Sequence, residues 1–307
     1  MAQTFDLGEA VSAKALKGAA CAIGVFDGVH LGHRLLIDGM VESSRQSGSP
    51  SAIVTFDIDP DELFDKGSLK KLQSNEERLR MLGGLQADFV VVIPFTREFA
   101  SLPPERFLDE VLGGLGVSSV FVGSDFKFGS KAAGDVAMLS NWGDANDVDV
   151  SVAGLLEVDG IPAKSTNIRR FLGEGNVREA RKLLGRNYSF EGDVSKGRGE
   201  GMQMGFATAN LNVPDDRLIL ADGVYGGYGT VDGKRYKAAI SAGVPPTFAS
   251  RSKDNLEVHL LGFSGDLYGR RLRVEFAEWL RPLIEFESVD ELANTVQANI
   301  AWIEENL

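Results

Sequence analysis

Two of the three histidines in this chain, His30 and His33, stand three residues apart in the stretch GVFDGVHLGH. Gly24, Gly28 and Gly32 punctuate that stretch, and Phe26 and Asp27 lie inside it. Glycines at the turn from a strand into a helix let the backbone approach a phosphate closely. The first amides of the helix offer the anion a partial positive charge. Imidazoles add hydrogen bonds to phosphate oxygens, and a compensating charge when protonated. A single histidine here would read as a helix cap, but two of three in one glycine-flanked turn point to anion binding.

Three further segments could do chemistry. In KSTNIRRFL, Lys164–Leu172, Ser165 and Thr166 are natural N-cap residues whose hydroxyls and amides could equally hold a triphosphate tail. Arg169 would meet that ligand with its fork of donors, although a helix cap with an exposed arginine explains the segment as well. In MGFATANL, Met204–Leu211, Thr208 and Asn210 place two oxygen-bearing side chains on one face of an extended chain. Hard oxygens of this kind suit Mg²⁺, which shares its coordination with substrate phosphates. The preceding KGRGEGMQMG is loose enough to fold over a nucleotide but lacks the Gly-Lys-Ser/Thr of a Walker loop. Glu257, in NLEVHLLGF, is a carboxylate on an alternating strand; it could act as a base from inside a pocket, and otherwise reads as a solvated glutamate. His259 shares its face and receives no role.

These segments need elements to position them. Up to about Leu184, apolar runs (AACAIGVF, SAIVTFD, ADFVVVIPF, SSVFVG, VDVSVAGLLEV) alternate with amphipathic stretches such as HRLLIDGMVESSRQ, NEERLRMLGGL and PPERFLDEVLGGL. Strand-helix alternation of this kind is the pattern of an α/β doubly wound parallel sheet. GVFDGVHLGH then falls at the first strand-to-helix switch, with the strand ending near Val25 and the helix beginning near Leu31. After Gly185, glycines multiply and short alternating runs follow, GVYGGYGTV, KRYKAAISAG, NLEVHLLGF and RRLRVEFAEWL, which predict a small antiparallel β-barrel. Val289, Leu292, Val296, Ile300 and Ile303 repeat at three or four residues and predict a C-terminal helix packed on the barrel. The expected division is residues 1–185 and 186–307.

The chain has 307 residues, 43% of them hydrophobic and 25% charged, enough for a sizeable core in two domains. A net charge of -12 argues against nucleic acid as a partner, since displacing counterions needs a basic face. No signal peptide or membrane-spanning run is legible, and the single cysteine, Cys21, sits in an apolar run; a cytoplasmic protein is expected. Oligomeric state is not encoded in any pattern.

HLGH has the His-x-Gly-His form of nucleotidyltransferases, and the longer GVFDGVHLGH resembles the opening motif of the bacterial bifunctional riboflavin kinase/FAD synthetase (FMN adenylyltransferase) family. TFDIDP resembles the family's flap motif, GSDFKFG its loop after the fourth strand, and KSTNIRRFL its Ser-Thr-x-x-Arg motif. GEGNVREARKLLGRNYSFEGDV, MGFATANL, SAGVPPTF, NLEVHLLGF and DLYGRRLRVEF continue the likeness in order. The resemblance implies a nucleotidyltransferase domain followed by a riboflavin kinase-like barrel, with ATP, riboflavin and FMN as substrates and Mg²⁺ as cofactor. It implies catalytic roles for His30, His33, Ser165, Arg169 and, as general base, Glu257. Nucleotide or flavin binding would fall to Gly24, Phe26, Asp27, Gly28, Gly32, Asp125, Thr166, Gly201, Thr208, Asn210 and Arg281, with Thr208 and Asn210 holding the metal. The chain departs from the pattern at Ile58 and Asp59, where the flap usually has proline and histidine, and at Lys164, Ala207 and Gly262, where serine, proline and aspartate are usual. A carboxylate at Asp59 beside phosphates would repel them, so a member with only kinase activity is one alternative expectation, and the substitutions at Asp59, Ala207 and Gly262 together motivate another, a non-catalytic flavin-binding or regulatory protein.

Overall fold

The structure, a computed structural model, describes residues 2–7, 15–64, 69–195, 208–218, 220–243 and 255–307. The chain forms two compact units, Met1–Ser165 and Thr166–Leu307. Gly201 and Ala207, with most of the loop that contains them and the PPTF of SAGVPPTF, lie outside the described residues.

The first unit is built on six strands: β1 (Gln3–Asp6), β2 (Ala20–Ile23), β3 (Ser51–Phe56), β4 (Phe89–Ile93), β5 (Ser119–Gly123) and β6 (Asp149–Ala153). They line up as β1-β4-β3-β2-β5-β6, all parallel. The chain moves outward from β2 through β3 to β4, then returns to place β5 on the other side of β2. That reversal makes a crevice at the carboxyl ends of β2 and β5, where ligands of open α/β sheets bind. Helices α1 (Leu31–Ser47), α2 (Pro60–Phe64), α3 (Asn75–Gly83) and α4 (Val136–Asn146) follow β2, β3 and β5. Alternation within the buried strands sends Cys21, Ile23, Val54 and Val120 into one apolar layer and Ala22, Ile53, Val90 and Val92 into another, so both faces of the sheet are covered.

Two sequence expectations need correction. The strand expected to reach Val25, β2, ends at Ile23, and Phe26 beyond it adopts a φ of 61°, outside strand conformation. PPERFLDEVLGGL is helical, but its α-helix covers only Pro104–Phe107 before widening into a π-helical turn, Leu108–Gly113.

In the second unit, α5 (Ser165–Gly173) and α6 (Val177–Leu184) precede a closed barrel. Its strands are β7 (Tyr188–Ser195), β8 (Ala209–Asn212), β9 (Gly223–Val231), β10 (Lys234–Ala242), β11 (Asn255–Leu260) and β12 (Arg271–Arg281). They close in the order β7-β8-β11-β10-β9-β12, every pairing antiparallel. Helix α7 (Val289–Asn306) packs on β9 and β10 where Gly226 makes room: a Cβ there would lie 3.1 Å from Ile303 and 3.3 Å from Leu307. Tyr228 and Lys237 donate to the Leu307 and Glu304 carbonyls at 3.0 and 2.6 Å. Val289, expected on the packed face, is instead exposed.

Cys21 is completely buried in β2, and burial pushes its thiol up from 9.0 to about 12. The neutral thiol is therefore favoured in the fold, and its contribution to stability is intact below pH 9.0 and lost as pH rises toward about 12. Titration with a thiol reagent at pH 8 should find no reactive cysteine in the native chain and one after denaturation; rapid native reaction would place Cys21 outside the core.

Candidate active sites

The turn after β2 is unusual backbone. Phe26 and Val29 hold φ values of 61° and 38°, Gly28 one of 84°. Non-glycine residues in that region cost of order 1–3 kcal/mol each and persist only where their surroundings insist. Here the insistence is visible: Phe26 and Val29 are buried, and Phe26 packs edge-on to His33 with ring centroids 5.2 Å apart. His30 is the N-cap of α1, its Nδ1 accepting the His33 backbone N–H at 3.3 Å, and the two imidazoles stack with centroids 3.5 Å apart. His30 thus caps the helix while His33 is stacked on its imidazole. Gly24 borders the Phe26 ring, and a Cβ on Gly32 would lie 2.9 Å from the Ala163 carbonyl oxygen and 3.2 Å from the His30 ring. Only glycine lets the 163–165 segment come so close.

Asp27 ties this turn to its neighbours. Its carboxylate accepts the Leu72 N–H at 3.0 Å, and its carbonyl accepts the Ser165 hydroxyl at 2.8 Å. Ser165 is therefore the first residue of α5, not its cap, and its hydroxyl is spent on the GVFDGVHLGH turn. Thr166, exposed, and Arg169, half-buried, stand on the same helix within the second unit. Asp125 follows β5, and its carboxylate lies 2.8 Å from the Lys164 ammonium.

A residue the sequence reading passed over underlies the turn. Arg78 of α3 is 2% exposed, yet its guanidinium donates to the Val25 carbonyl at 3.0 Å, Thr55 Oγ1 at 2.8 Å and the Phe56 carbonyl at 2.8 Å. Asn75 Oδ1 accepts at 3.3 Å. Burial pulls this guanidinium below its ordinary value, while the charges of Asp59, Asp27, Glu62 and Asp57 push it back. One signal was available: Arg78 is four residues before the buried Leu82, on the face of NEERLRMLGG that should be apolar.

Asp59 does not project as a bare charge. It is 6% exposed, and its carboxylate accepts the Asp61 N–H at 3.0 Å at the start of α2. Its own N–H donates to Glu62, which also takes Asn75 and the buried Lys71, the last at 3.1 Å.

In the barrel, register makes the second array. Asn210 lies opposite Glu257, Glu257 opposite Ser241, Ser241 opposite Val224 and Val224 opposite Arg281. Directly opposed residues of antiparallel strands share a face. Leu256, Val258 and Leu260 alternate inward, so Glu257 and His259 take the other face, half-buried, as do Thr208 and Asn210 around the buried Ala209. Arg281 donates to the Pro282 carbonyl at 3.1 Å and stacks on Phe286; burial lowers its affinity for the proton.

Comparison with known proteins follows this division. The family model FAD synthetase matches residues 12–167, and the model riboflavin kinase matches residues 184–307. The chain belongs to the bifunctional riboflavin kinase/FMN adenylyltransferase family. The enzyme of that name from Pseudomonas fluorescens is 35% identical over 93% of this chain and 92% of its own. The Escherichia coli K12 relative is 35% identical over 90% and 88%, and that of Listeria monocytogenes 33% over 88% and 87%. A crystal structure from Streptococcus pneumoniae described as a macrolide-efflux protein covers 99% of both chains at 27% identity, with a TM-score of 0.85. That name is the neighbour's; among the described residues no helix of the present chain is long and apolar enough to cross a membrane.

Removing the cation beneath the turn should be costly. Arg78→Met leaves the Val25 and Phe56 carbonyls and the Thr55 hydroxyl without their donor and the nearby carboxylates without their countercharge, and should destabilise the first unit by about 3–5 kcal/mol in chemical denaturation. A loss below about 1 kcal/mol would mean that water replaces the guanidinium readily.

Proposed function

We propose that this chain makes FMN from riboflavin and FAD from FMN, each with ATP, and that the two reactions use separate sites. The observation that carries the reading is the match of both family models, in order, to a chain that also carries two separate arrays of polar side chains. Residues 1–185 are assigned to adenylyl transfer and 186–307 to the kinase.

In the kinase step, the riboflavin 5′-hydroxyl attacks the γ-phosphorus of ATP. Glu257 takes its proton, the bond to the β-phosphate bridging oxygen breaks, and ADP departs. Asn210 and Ser241, opposite Glu257 on either side, leave the carboxylate among polar neighbours. Mg²⁺ suits the hard oxygen donors of Thr208 and Asn210. When bound, Mg²⁺ would shield the charge of the transferring phosphoryl group. Arg281 is assigned to the flavin side of this pocket.

In the adenylyl step, an FMN phosphate oxygen attacks the α-phosphorus of ATP and pyrophosphate leaves. The nucleophile is already an anion, so no side-chain base is required. His30, His33, Thr166 and Arg169, with the backbone amide of Ser165, whose hydroxyl is held by Asp27, and the amides of the Gly24–Gly32 turn, position the triphosphate and stabilise charge moving onto pyrophosphate. Asp59 is buried and its carboxylate accepts the Asp61 N–H, which favours two working sites over a kinase-only reading. Small molecules are the partners this chemistry needs, and a cytoplasmic location accords with it.

Chromatography of products tests the reading. With ATP and Mg²⁺, riboflavin should yield FMN and then FAD, and FMN alone should yield FAD. Glu257→Gln should cut riboflavin phosphorylation about 10²- to 10⁴-fold while FMN is still converted to FAD. No FAD from FMN in the wild-type chain would contradict the assignment of the first unit.

A further inference from the structure

We infer that Lys164 is an additional phosphate-binding residue of the adenylyl-transfer site, stored on Asp125 and passed to the triphosphate when ATP enters. The inference rests on the adenylyl-transfer reading above and names a residue that reading leaves without a role.

The backbone around Lys164 is fixed to the histidine turn on both sides. Ala163 brings its carbonyl oxygen within 2.9 Å of where a Gly32 Cβ would stand, and Ser165 donates its hydroxyl to the Asp27 carbonyl at 2.8 Å. The Lys164 N–H donates to the Pro162 carbonyl at 2.9 Å. A side chain leaving the main chain between two such contacts starts at the rim of the GVFDGVHLGH site. Its ammonium reaches Asp125 Oδ2 at 2.8 Å, and Asp125 stands in the loop after β5, the strand beside β2 at the crevice. The Lys164 hydrogen bond holds the Asp125 carboxyl below the usual carboxylate range, and the charge of His30 adds to the effect. One carboxylate therefore feels both Lys164 and His30.

This pair is exposed enough to be exchanged. The Lys164 side chain is 34% exposed and that of Asp125 65%, and ion pairs so open to water contribute about 0–1 kcal/mol. A triphosphate, with several negative charges, outcompetes a single carboxylate for the same ammonium. TFDIDP itself contributes a carboxylate rather than a cation, Asp59, which caps α2. Lys164 brings a positive charge to this rim.

The test measures both activities of the full-length chain as ATP is varied, comparing wild type with Lys164→Ala and Lys164→Arg. Lys164→Ala should raise the KM for ATP in adenylyl transfer about tenfold, the effect of losing one charge-assisted contact, with a much smaller change in kcat. Lys164→Arg should stay near wild type, and the KM for ATP in riboflavin phosphorylation should not move in either variant. An ion pair that merely closes the 123–129 loop would leave the adenylyl KM unchanged in Lys164→Ala, and that result overturns the inference. A wild-type chain that forms no FAD would instead overturn the reading beneath it.

Discussion

A guanidinium that water scarcely reaches is an expensive thing to build into a protein, because the desolvation cost of a charge runs to several kcal/mol before its partners repay it. Arg78 is repaid by acceptors from three directions: the carbonyl of Val25 as the chain leaves β2, Thr55 and Phe56 at the end of β3, and Asn75 on its own helix. Those are the points from which the histidine turn and the flap set out. The backbone of that turn, strained at Phe26 and Val29, is held on one side by this cation and on the other by the Asp27 contacts to Leu72 and Ser165. The stacked pair of His30 and His33 stands on this braced turn.

The barrel solves its positioning problem by register. Asn210, Glu257, Ser241, Val224 and Arg281 form a row across five strands that come from widely separated parts of the chain. A one-residue slip in β11 would turn Glu257 into the core and expose Val258, so the packing of Leu256, Val258 and Leu260 is what aims the carboxylate. Hydrophobic burial and functional geometry are here the same constraint.

The sequence displays features that are local and hides those that are not. The strand-helix alternation, the glycine-flanked histidines and the alternating barrel strands all carry their period or composition within a few residues. β1 does not: QTFD is too short to show a period, and its place beside β4 depends on pairing across more than eighty residues. Ser165 looks like a helix cap in isolation, and only the proximity of Asp27, far away in sequence, redirects its hydroxyl. Asp59 looks like a misplaced charge until α2 forms behind it and takes its carboxylate as a cap. Arg78 was hidden for the same reason, since a charged residue in an amphipathic helix reads as solvent-facing unless its acceptors are known.

Amide hydrogen exchange in wild type and Arg78→Lys tests most directly whether one buried cation holds the histidine turn. A lysine keeps the charge but cannot fork to Val25, Thr55 and Phe56 together. If Arg78 sets the turn, the Leu72 and His33 amides, which bond to Asp27 and His30, should lose protection in the variant while barrel strands β7 and β9 keep theirs. Unchanged protection at Leu72 and His33 would mean that the turn holds itself and that Arg78 serves only the packing of α3.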